Sequence, residues 1–179
     1  SAAACMNMQQ HGQWQSGRGT LETPEQFLSR FGFGLLRVVP ALRIAVDGHH
    51  EELGHTMYQL QCCMHCIMGA HLQKVLPIRW KCEKRLCEIR DLLHDPVKED
   101  LGRQYDAFFE GAHFAHRGGL PGTTVRLETW MDALANVVNR GVVSAEVRAQ
   151  VLEFLEVPVP AAEIHVKQAS SHASEEDEP

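Results

Sequence analysis

Apolar residues recur at steps of three and four through nearly all of the chain between Thr23 and Glu156, and proline- or glycine-rich breaks cut that pattern into segments of helical length. A side-chain period near 3.6 lays one face of an α-helix against a core, whereas strict alternation marks a half-buried strand. Read this way the chain is all-α: a single bundle of five or six helices over 23–156, between a flexible N-terminal arm (1–22) and a disordered acidic C-terminal tail (157–179). Its 179 residues, 44% of them hydrophobic, suffice for one core and not for two generous ones.

The clearest helix start is Thr23-Pro24-Glu25-Gln26: an N-cap hydroxyl, a proline at the first helical position and a Gln that reaches back to the cap. From it Phe27, Phe31, Leu35, Val38, Leu42 and Val46 form a first stripe, ended by Asp47-Gly48. A second helix is expected from about His49 to Leu76, carrying Leu53, Met57, Leu60, Met64, Ile67, His71 and Val75, with Pro77 as the turn. A third follows with Ile78, Cys82, Leu86, Ile89 and Leu93, and a fourth with Val97, Leu101, Tyr105, Phe108, Ala112 and Ala115. After the 118–122 glycine-rich break come a fifth helix with Leu127, Trp130, Met131, Leu134, Val137 and Val138, closed by Gly141, and a sixth capped by Ser144. No segment reads as a strand.

Composition narrows the class of function. A formal net charge of −6 gives no general attraction to nucleic acid or to an anionic membrane surface. No run of about 18 apolar residues is present, so no membrane span is expected. Ser1 to Trp14 has neither a basic n-region nor an apolar h-region, and the chain has six cysteines beside a core large enough to stand without cross-links. The expectation is reduced thiols in the cytoplasm or nucleus, with no membrane partner.

Five of the six cysteines fall within 26 residues, in Cys62-Cys63-Met64-His65-Cys66, then His71, Cys82 and Cys87. On a helix, Cys62 and Cys66, or Cys63 and Cys66, lie one turn apart. A hairpin at Pro77 would bring Cys87 level with Cys66 and Cys82 level with His71. Thiolates and imidazole suit tetrahedral zinc, so Cys62, Cys63, Cys66, His71, Cys82 and Cys87 are the candidate metal ligands, stapling two helices. The cluster lacks the glycine-rich knuckles that usually bend a Cys-x-x-Cys around the ion. The plainer reading makes the cysteines small apolar side chains of a core and its flank, and disulfides are the third. The expectation is a protein with no cofactor, with zinc on this cluster as the alternative.

Two Glu-x-x-His pairs, Glu52 with His55 and Glu110 with His113, invite comparison with di-iron four-helix carboxylate proteins. Both fall off the apolar stripes, and Glu25, Glu83 and Glu88 give no matching register. His49-His50-Glu51-Glu52 lacks the second His of a zincin and reads as a solvated first helical turn. Arg117-Gly118-Gly119-Leu120-Pro121-Gly122 lacks the Lys-Ser/Thr that would hold a nucleotide phosphate. No Gly-x-Ser-x-Gly is present, and no catalytic arrangement survives, so the protein is read as a non-enzyme.

What remains is a local basic region, Lys74, Arg79, Lys81, Lys84, Arg85 and Arg90 against Glu83 and Glu88, with Trp80 among them. Such a helix contacts an acidic partner peptide or phosphates when it is not simply a solvated face. The functional expectation is an adaptor or regulatory domain that binds another protein or a second copy of itself through Trp80, Lys81, Lys84, Arg85 and Phe109. A helical zinc protein and a nucleic-acid-binding regulator are the alternatives.

Overall fold

Leu42, Ile44 and Val46 are buried while Ala41, Arg43 and Ala45 between them are exposed, the alternation of a β-strand with one face on a core. These residues belong to a computed structural model that describes residues 14–15, 21–31, 41–68, 74–115 and 122–158. A two-residue antiparallel pair, β1 (Trp14–Gln15) with β2 (Leu21–Glu22), precedes α1 (Pro24–Ser29). Then come three long strands, β3 (Ala41–Glu52), β4 (His55–Met68) and β5 (Lys74–Arg85). They form an antiparallel meander in the order β3-β4-β5. The helical part follows: α2 (Leu86–Ile89), a π-helical turn (Arg90–His94), α3 (Asp95–Leu101), a 3-10 turn (Gly102–Gln104), α4 (Tyr105–Phe108), α5 (Thr123–Asn139) and α6 (Ala145–Phe154).

The fold is therefore α+β, and the all-α bundle is overturned by the sheet. The expected second helix, 49–76, covers the end of β3, the whole of β4 and the start of β5, with 69–73 outside the described residues, and the third is β5 running into α2. The physical reason lies in the number four. Leu42 and Val46, Leu60 and Met64, Ile78 and Cys82 are each four apart, an even step that puts both residues on one face of a strand as well as of a helix. What decides between the two is the residue halfway. Ile44, Cys62 and Trp80 occupy those positions, and the inward set Tyr58, Leu60, Cys62 and Met64 is buried throughout. Pro77 is not a hairpin turn but a strand residue paired with His65. Asp47-Gly48 is not a helix end either, since the register shifts there as a β-bulge. The turn between β3 and β4 is Leu53-Gly54, both with positive φ (49° and 76°).

Several helix signals hold. Thr23 caps α1 with both arms of the capping box, Gln26 N–H to the Thr23 hydroxyl at 3.2 Å and Thr23 N–H to Gln26 Oε1 at 2.9 Å. α5 carries the expected stripe, and the Ser144 side chain accepts from Val147 N–H at the start of α6. The expected fourth helix is broken into α3, a 3-10 turn and α4. Within the expected arm, 14–15 and 21–22 pair as strands; the rest of it and the tail from 159 lie outside the described residues.

The inner face of the sheet packs on the helices, with α5 against β3 and α6 against α1, α3 and the π-helical turn. Two polar details fix this arrangement. The Asn139 side chain, on the last residue of α5, accepts from Leu42 N–H (2.8 Å) and donates to Leu42 C=O (2.9 Å), as a neighbouring strand would. That closes part of the β3 edge, where backbone groups otherwise recruit a further strand. On the other side, Trp80 Nε1 donates to Leu155 C=O at 2.6 Å. At the centre of the helical part Trp130 is fully buried, edge-on to Phe114 and stacked near Phe109, and its Nε1 donates to the Tyr105 hydroxyl at 3.0 Å.

Candidate functional site

A strand shows neighbouring side chains to opposite sides, so the inward set of each strand leaves an outward set behind. The register gives that outer face in rows across β3, β4 and β5. The first is Ala41, His65 and Pro77; the next Arg43, Cys63 and Arg79; then Ala45, Gln61 and Lys81. Beyond the bulge come Gly48, Gln59 and Glu83, and then His50, Met57 and Arg85. The face stands open to solvent, with Arg43, Gln61, Arg79, Lys81 and Glu83 exposed and Gln59, Cys63 and His65 half-buried.

The charge on it is divided. In the middle, Arg43 and Arg79 flank Cys63 across three strands, about 10 Å apart at the backbone. Lys81 in the next row pairs with Asp47 at 3.0 Å. Among the described residues neither Arg43 nor Arg79 makes an ion pair. Toward the β3–β4 turn the face becomes acidic, with Glu83, held at 2.9 Å by the Gln59 amide, and Glu52 near His50.

The cysteine cluster is split by the strand. Cys62 and Cys82 face inward, both buried, with their thiols beside each other. That contact and burial push the Cys62 thiol far above its ordinary range, so its proton stays in place at neutral pH. Cys63 points to the opposite face and Cys87 is exposed on α2. Cys66 pairs with Leu76 along β4; its side chain, and the whole of His71, lie outside the described residues. The structure thus brings Cys62 and Cys82 together and separates both from Cys63. The Glu-x-x-His pairs lose the helical face that a di-iron site needs: Glu52 and His55 are cross-strand partners, and Glu110 and His113 lie after α4 in a turn and an irregular segment.

The expected contact residues divide in the same way. Phe109 is buried, stacked on Tyr105 at 4.4 Å. Trp80 faces inward to Leu155, and Lys84 pairs with Glu156 and sits over the Phe154 ring, so all three hold the fold. Arg85 closes β5, its N–H donating to Glu88 Oε2 at 2.8 Å. Of this set only Lys81 is exposed on the open face beside Arg79. Sequence reasoning missed Arg43 because it lies far from Arg79 along the chain, and strand register alone brings the two into one row.

Comparison with protein-family models, with curated proteins and with solved structures finds no match. No helix among the described residues is long and apolar enough to cross a membrane.

Proposed function

We propose that this chain is a non-enzymatic interaction domain that receives an acidic segment of another protein on the open face of its sheet. The observation that carries the reading is the row of Arg43 and Arg79, two guanidinium groups set across Cys63 with no carboxylate of their own among the described residues. Guanidinium groups bind carboxylates in a two-pronged geometry and desolvate more readily than ammonium groups, which favours arginine at a peptide-binding surface. Gln61 beside them offers an amide to a backbone, and Ala41 and Ala45 leave the surface flat enough for an extended chain to lie on. Nucleic acid fits less well. A duplex is held through many phosphates at once, whereas this face carries three arginines, one lysine already engaged and carboxylates at its turn end.

The test is a titration of the full chain with a fluorescent peptide of alternating Glu and Ser, beside a matched Lys-and-Ser peptide. The expected result is salt-sensitive binding of the acidic peptide alone. R43E/R79E should weaken it at least about tenfold, as two charge-assisted contacts become repulsions. Both arginines are exposed, so the variant should retain the wild-type circular dichroism. Equal binding of both peptides, or of wild type and variant, would remove the proposal.

A further inference from the structure

The turn end of the same face holds a second arrangement. His50 and Glu52 are two residues apart on β3 and so share its outer side, and Glu83 reaches toward them from β5 across Gln59. Gly48, opposite Gln59, has open space where a Cβ would stand, so nothing on β3 blocks that reach. One nitrogen or oxygen from each of His50, Glu52 and Glu83 lies within 4.8 Å of the other two. Two further facts set this group apart from an ordinary surface cluster. The Nδ1 atom of His50 is shut off from solvent and has no hydrogen-bond partner. The two carboxylates have no Lys or Arg counterion among the described residues, and Glu83 is oriented by the Gln59 amide at 2.9 Å.

We infer that His50, Glu52 and Glu83 form a binding site for a divalent transition-metal ion, with zinc the ion whose preferences fit best. The inference goes beyond the peptide-binding reading and does not depend on it. One imidazole and two carboxylates are hard-to-borderline donors, suited to zinc or its first-row neighbours and unsuited to a thiophilic ion. Around zinc, ligand bonds of about 2.0–2.2 Å place neighbouring donors roughly 3.3–3.6 Å apart, so closing the group takes about 1 Å of side-chain rotation. The residues are exposed or half-buried at a strand end, where such rotation meets little resistance. Three protein ligands leave a fourth position to water. The Gln59 contact then serves as an outer partner that holds Glu83 in place, a kind of support whose loss commonly costs about 10–100-fold in affinity. Binding would also neutralise the acidic end of the face.

The experiment is a titration of the full, fully reduced chain with zinc chloride by calorimetry, and with cobalt chloride by absorption spectroscopy. Cobalt reports its own ligands: thiolates give intense sulfur-to-metal charge-transfer bands, whereas imidazole and carboxylates give only weak ligand-field bands. The expected result is one ion per chain, weak bands alone, and affinity lowered at least about tenfold in H50A and in E83Q. Both substitutions lie on the solvent side of the sheet and should leave the circular dichroism unchanged. No binding at submillimolar zinc would overturn the inference. So would binding accompanied by sulfur charge-transfer bands, or affinity unaffected by H50A and E83Q.

Discussion

Replacing Asn139 with Ala removes the one side chain that joins the end of α5 to the backbone of β3 at Leu42. Both contacts are short, 2.8 Å from Leu42 N–H to Oδ1 and 2.9 Å from Nδ2 to Leu42 C=O, and both are part-buried. Each hydrogen bond contributes about 1 kcal/mol net, and an unpaired buried partner costs about 1–3 kcal/mol. Two groups are stranded, and water reaches part of the site, so N139A should lose about 2–4 kcal/mol. That is a large share of the roughly 5–15 kcal/mol that holds a domain together. It corresponds to a fall in Tm on the order of 6–12 °C. N139D separates the two contacts. It keeps the acceptor for Leu42 N–H but sets a carboxylate oxygen against Leu42 C=O, which raises the pKa of that carboxyl in the folded state. The penalty is then full above that raised value, fades as the pH falls from it toward the unfolded carboxylate value near 4, and is gone below that. Urea denaturation followed by circular dichroism gives both numbers. N139A within about 0.5 kcal/mol of wild type, with an unchanged m value, would refute this account of how α5 is fixed on the sheet.

Y105F strands the Trp130 N–H in the aromatic core and should cost about 1–3 kcal/mol in the same assay; a neutral result would mean that this hydrogen bond contributes nothing. L53N should gain about 1 kcal/mol, because Leu53 is 91% exposed and held at φ 49°, a conformation that Asn tolerates better; a loss of stability would contradict the turn geometry. In native protein treated with iodoacetamide, peptide mass spectrometry should find Cys87 alkylated first, Cys63 later and Cys62 last, since burial and the contact with Cys82 keep the Cys62 thiol protonated. Cys62 reacting as fast as Cys87 would contradict the inward placement of β4.

The starts of α1 and α6 and the whole of α5 were legible in the sequence because their signals are local. The Thr23 capping box, the stripe from Leu127 to Val138 and the Ser144 cap each depend on residues within a turn or two, and each appears in the structure. The sheet was not legible because its signals were ambiguous or remote. Residues four apart on β3, β4 and β5 satisfy both periods, and Leu53-Gly54 lacks the Asn or Asp that usually announces a tight hairpin. The bulge at Asp47-Gly48 imitates a helix end. The open face could not be assembled without register. Arg79 and Lys81 stood out as part of a basic run, but their partners Arg43, Cys63 and Gln61 come from other strands. The same holds for His50, Glu52 and Glu83, whose second strand arrives 31 residues after the first.

The peptide-binding reading is tested most directly by amide chemical-shift mapping of the full isotope-labelled chain during titration with the Glu-and-Ser peptide. The account predicts that shifts concentrate at Arg43, Cys63, Arg79 and Lys81 and along the outward residues beside them, with α5 and α6 unmoved. Shifts centred on the helices, or a spectrum that does not change at saturating peptide, would contradict it.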